Sequence, residues 1–184
     1  MALDPLLLDQ VLRTPEGRDV TASPIVTAII LSDPANAAEL VPALERAGTL
    51  EAGNARRVLC LFSPEAAAPL VAKLVGAGLN ARREGLEVLW CLLSTEDQRT
   101  VRDALAQAGP GLEVLLDDRR PVPDDLPAYI ESDFMGRVCD EAFLVARELL
   151  DPEYDSSLFR SLDEEGRNEE IARFKRQAPG AAMV

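Results

Sequence analysis

The chain repeats itself. Shifted by thirty-one residues, Leu61-Phe62-Ser63-Pro64-Glu65 falls on Leu92-Leu93-Ser94-Thr95-Glu96, and Val58, Leu59 and Cys60 fall on Leu89, Trp90 and Cys91. In the same frame Leu70, Leu74, Ala77 and Gly78 meet Val101, Leu105, Ala108 and Gly109. A period of this size holds one pair of helices, and a single pair cannot bury its own apolar face. The stretch Ala47–Gly109 therefore predicts helix pairs stacked on one another, and Leu31-Ser32, one period before Phe62-Ser63, extends the frame back to Ser23. A rival frame of twenty-six residues sets Asn54-Ala55-Arg56-Arg57 on Asn80-Ala81-Arg82-Arg83 but throws the apolar helix cores out of step. Burial, not surface charge, sets repeat geometry, so the thirty-one-residue frame governs.

Composition agrees with helices. Ala and Leu dominate, both among the best helix formers, and aromatic residues make up only 4%. The expectation is an all-α chain whose small aliphatic side chains pack helix on helix.

Punctuation places the elements. Asp4-Pro5, Ser23-Pro24 and Asp33-Pro34 each put a capping side chain before a proline at the first helical position. Residues 1–22 read as a short helix and loop, and 23–116 as the repeats. Gly48 and Gly76-Ala77-Gly78 read as stops, while Pro42 and Pro69 predict kinks or a late helix start. Ser63 and Ser94 are expected caps, and Gly109-Pro110-Gly111 is expected to close the helix that begins near Thr95. Residues 117–127, charged and proline-punctuated, read as an acidic loop and boundary. Beyond it, Phe134, Val138, Ala142, Val145 and Leu149 lie beside a second stripe of Met135, Cys139, Phe143, Ala146 and Leu150. A helix over 128–150 should therefore be apolar over a wide arc and dock on the repeats as a cap. Asp151-Pro152 ends it, a short turn around Phe159 and a last helix over 168–177 follow, and 178–184 reads as a disordered tail.

Some chemistries are excluded by what is missing. The chain has no histidine, which removes Ser-His-Asp and Cys-His nucleophiles and histidine-ligated metals. Cys60, Cys91 and Cys139 sit in apolar helical runs and read as small buried hydrophobes. Their odd number fits a reducing compartment, and with no basic leader or long apolar run the expected location is cytoplasmic, or outside the cell by export without a cleaved signal. The net charge is −13, which disfavours nucleic acid and anionic membranes; the ordinary reading is that acidity keeps the chain dissolved, and the sharper one is an acidic face that meets a basic partner.

The helix pairs ending at Gly48, Gly78 and Gly109 resemble HEAT-type or armadillo-type repeats over about Ser23–Leu116. The resemblance rests on period, capping and apolar placement. It implies a short α-solenoid of about three antiparallel pairs, capped by C-terminal helices, and a role in binding proteins.

Candidate chemistry follows. Glu84, Glu87, Glu96 and Asp97 can be imagined as carboxylates for acid–base work, but acids near helix starts also simply favour the helix dipole. Arg56, Arg57, Arg82 and Arg83 are candidate partner contacts, set against the ordinary alternative of a salt-bridged surface. Asp117, Asp118, Asp124 and Asp125 of the acidic loop are the other candidates, and Trp90, aligned with Leu59, reads as core. No cofactor or metal is expected. The reading is a non-enzymatic scaffold or adaptor that binds a partner through the solenoid face and the acidic C-terminal region. Two rivals stand beside it: an acidic inhibitor or immunity-type protein for a basic toxin or nuclease, and a histidine-independent enzyme using carboxylates and arginines.

Overall fold

A computed structural model describes residues 3–15, 24–121 and 136–177. Among them the chain is all-helical, with an isolated antiparallel bridge between Pro121 and Arg137. The helices are α1 (Pro5–Leu12), α2 (Pro24–Leu31), α3 (Ala37–Leu44), α4 (Leu50–Leu59) and α5 (Ala67–Val75). Then come α6 (Leu79–Leu93), α7 (Gln98–Leu116), α8 (Val138–Leu150), α9 (Ser156–Ser161) and α10 (Glu164–Gln177). No described helix is long and apolar enough to cross a membrane.

The cap-then-proline signals work as local chemistry. Asp4 Oδ1 accepts from the Leu6 amide at 2.9 Å and Asp33 Oδ1 from the Ala35 amide at 3.0 Å. Pro34 and Pro64 each open a 3-10 turn that runs into α3 and α5, so both helices start late. Gly48 takes φ +77°, a left-handed stop after α3 that a side chain would strain.

Packing joins α3 to α4, α5 and α6, and α5 to α6 and α7; α8 then lies against both α6 and α7. The core is aliphatic, with Leu40, Leu44, Leu70, Leu74, Leu89 and Leu93 fully buried. At the C-terminal end Phe143 stacks on Phe159 with ring centroids 4.3 Å apart and meets Phe174 edge-on at 5.4 Å. The wide apolar arc expected of α8 is present: Val138, Cys139, Ala142, Phe143, Ala146 and Leu149 are all buried. Asn54, buried in α4, donates to the carbonyls of Leu12 and Thr14 at 2.9 and 2.8 Å and so fastens the end of α1.

Three expectations are corrected. Ser94 does not cap α7; it ends α6, and Asp97 caps α7 by accepting from the amides of Arg99 and Thr100 at 3.0 and 3.1 Å. Nor does Gly109-Pro110-Gly111 end that helix, which continues to Leu116. An interior proline costs about 3 kcal/mol, but the turn beyond it buries Leu112, Leu115 and Leu116. Gly111 belongs to that packing, because a Cβ there would lie 2.9 Å from Val71 Cγ1 and 3.3 Å from the Val71 carbonyl carbon on α5. Finally, α8 begins at Val138 rather than at residue 128: Gly136 has φ +86° and Arg137 is extended, with the Val138 amide donating to the Arg120 carbonyl. The part of that expected helix before Gly136 lies outside the described residues, as do Asp124, Asp125 and the tail.

Candidate functional site

The arginines are the natural first place to look for a contact surface, and the structure divides them. Arg82 is 6% and Arg83 3% exposed. Arg82 donates to Asp118 and to the carbonyls of Val75 and Ala77, while Arg83 meets Glu84 at 2.8 Å. Both are therefore internal fasteners and correct the expectation of a four-arginine contact surface. Arg57 is exposed. Arg56 bridges α4 to α6, with Nη1 3.2 Å from Glu84 and Nη2 2.7 Å from Glu87.

The acidic candidates are also tied down where they are described. Asp117 receives Lys175 Nζ at 2.6 Å. Asp118 is held between Arg82 and Arg120 and is little exposed. Burial pushes its carboxyl up, but hydrogen bonds from Arg120 and the Arg82 and Arg120 charges outweigh that and hold it below the ordinary value.

The imagined acid–base set does not converge on one site. Glu84 and Glu87 share Arg56, and burial first, with the Glu84 charge, pushes Glu87 above the usual carboxylate range against the pull of Arg56 and Arg83. Asp97 is spent as the α7 cap, its carboxyl held below its ordinary value by the hydrogen bonds from Thr100. The described residues hold no group of three or more Cys, Asp or Glu placed to bind a metal ion.

What sequence reasoning placed in the core turns out to be surface. Trp90 is 45% exposed, while its repeat partner Leu59 is 1% exposed. On the α6 wheel at 100° per residue, Leu86, Val88, Leu89, Leu92 and Leu93 occupy one arc, and Trp90 falls beyond it beside Glu87, Cys91 and Ser94. That angle was readable in the sequence, but the alignment with Leu59 overrode it. The cysteines divide likewise: Cys139 is buried as expected, Cys60 is half-buried and Cys91 is exposed.

Trp90 lines a cleft of about 230 Å³ formed by the end of α6, the start of α7 and the end of α8. Leu93, Val101 and Pro152 give it apolar walls, and Tyr154 supplies a second ring. Glu96 and Glu148 are its charged groups. No cation among the described residues pairs with either. Gln98 also lines it, donating from Nε2 to the Leu149 carbonyl at 3.2 Å, and its Oε1 is buried without a hydrogen-bond partner. Concave, aromatic, partly apolar and unsatisfied, this cleft has the make-up of a recognition pocket.

Compared with known proteins, the chain matches no family model, no curated relative and no solved structure.

Proposed function

We propose that the chain is a non-enzymatic protein-interaction module, a short α-solenoid of HEAT-like helix pairs that holds a partner protein at the Trp90 cleft. The observation that carries the reading is Trp90 itself, a large ring left 45% exposed at a concave site in a chain with few aromatics. Tryptophan is the residue most often found to carry binding energy at protein interfaces, where a pocket rim excludes water around it. The solenoid part of the reading is supported by the chain of contacts α3–α5–α7 and α4–α6–α8, and by ion pairing between equivalent positions of successive units.

An odd number of cysteines keeps the reading in a reducing compartment, the cytoplasm. Affinity capture with the whole chain, run beside Trp90→Ala, tests it: a stoichiometric partner retained by the first and lost by the second supports an interaction module. Turnover of a substrate with no stable partner would count against it.

A second reading is favoured by charge. Net charge is −13, and the buried Arg82 and Arg83 are each matched by a little-exposed carboxylate, Asp118 and Glu84, so burying these pairs leaves the acidic surplus in place. Such a surface suits an antagonist of a basic protein such as a toxin or nuclease. Steep weakening of partner binding with salt, through a slower on-rate, distinguishes this from an apolar scaffold contact.

A further inference from the structure

The charged side chains that line the Trp90 cleft, Glu96 and Glu148, have the same sign. Glu96 and Glu148 supply carboxylates that make no ion pair among the described residues. Helices α6 and α8 both end at residues that line the cleft, and the negative end of a helix dipole favours a cation nearby. The N-terminus of α7 also opens here, but Asp97 caps it with a carboxylate that offsets its positive end. Gln98 Oε1 adds an acceptor with no donor.

The indole fits the same ligand. An indole face attracts a cation, most strongly where water is excluded. Tyr154 is shared with a neighbouring cavity, and the Arg147 guanidinium already lies over its ring, 5.0 Å from the centroid, which leaves the Trp90 indole as the ring for a ligand's charge. Size narrows the choice further. A cleft of about 230 Å³ is below the usual range for a drug-sized molecule and suits one long side chain. Leu93, Val101 and Pro152 offer the apolar wall that the methylene stem of such a side chain covers.

We infer that the Trp90–Tyr154 cleft is a socket for one basic side chain, arginine or lysine, projecting from a partner protein. This rests on the interaction-module reading and names the chemistry of the anchor. The Trp90 indole holds the charged head, Glu96 and Glu148 neutralise it, and the apolar wall takes the stem.

The test uses the whole chain labelled with nitrogen-15 and titrated with N-acetyl-arginine amide, N-acetyl-lysine amide and N-acetyl-citrulline amide. Citrulline keeps the shape of arginine and removes its charge. The expected result is saturable shifts of the Trp90 indole N–H and the Gln98 side-chain amide with the two cations. Affinity is expected to be about tenfold weaker for citrulline, and likewise for arginine on E148Q, the scale of a desolvated cation–ring contact. Equal affinity for citrulline, or shifts spread over the acidic surface without saturation at the cleft, would overturn it. The outcomes are separable from those of the wider reading. If W90A loses a captured partner while E96Q/E148Q retains it at full affinity, the module stands and the basic anchor falls. If neither variant affects capture, both fall.

Discussion

Arg56 on α4 and Glu87 on α6 occupy equivalent positions of successive repeats, thirty-one residues apart, and their side chains meet at 2.7 Å. One turn further on, the equivalent thiols Cys60 and Cys91 lie close enough for Cys91 to raise the titration of Cys60. Two such pairs in the same order mean that α4 and α6 run side by side in the same direction, displaced by one period.

The thiol pair makes that register testable by chemistry. A disulfide-forming oxidant such as diamide is expected to join Cys60 to Cys91 within one chain, leaving buried Cys139 as a thiol. Burial, together with the neighbouring Cys91, pushes the Cys60 thiol up to about 12, so the link is expected to form faster as pH rises, because the thiolate is the attacking species. Peptide mass mapping reads the result. Links formed only between chains, or to Cys139, would contradict the register.

Glycine positions separate close packing from helix propensity. Gly53 in α4 has open space where a Cβ would go, so Gly53→Ala is expected to stabilise the chain by about 0.5–1 kcal/mol. Gly111 faces Val71 and its backbone, so Gly111→Ala is expected to cost about 1–3 kcal/mol through overpacking. Urea melts of the two variants check the opposite signs.

The contrast also shows what was legible beforehand. The all-helical class, the Asp4 and Asp33 caps and the apolar arc of α8 follow from local chemistry and periodicity, which act within a few residues. Continuation of α7 through Pro110 was not legible, because it depends on Val71 of another helix accepting Gly111. The fate of Arg82 was hidden for the same reason: its partners Val75, Ala77 and Asp118 come together only on folding. The site was readable only in part. The helical wheel puts Trp90 at the edge of the core, but the cleft it lines needs α8, which begins only at Val138, beyond the whole of α7.

Asp118 ties charge to pH. Its carboxyl is depressed below the ordinary value of 3.8, so its contribution is fully present above that value and is lost as pH falls through the lower folded value. Wild-type stability is therefore expected to drop from about pH 4 downward more steeply than that of Asp118→Asn. At neutral pH the variant is expected to be about 3–5 kcal/mol less stable, because Arg82 is left as a buried unpaired charge. Denaturant titrations across this range check both expectations.

At the alkaline end Cys139 acts in the opposite direction. Burial first, then the Asp140 charge, raises its thiol from 9.0 to about 11. Below pH 9.0 both states hold the proton; above it the unfolded chain releases it first, so stability is lost as pH rises toward about 11. Cys139→Ala is expected to flatten that part of the profile, read as the difference in urea midpoint between the two proteins.

The central claim is that Trp90 is there to be bound. Because it is 45% exposed, Trp90→Ala is expected to cost little stability, on the order of 1 kcal/mol or less, with the helical circular dichroism unchanged. Affinity capture from the native cell with both proteins is then the most direct measurement. The account predicts a stoichiometric partner on the wild-type chain that the folded variant loses, and equal capture by both would contradict it.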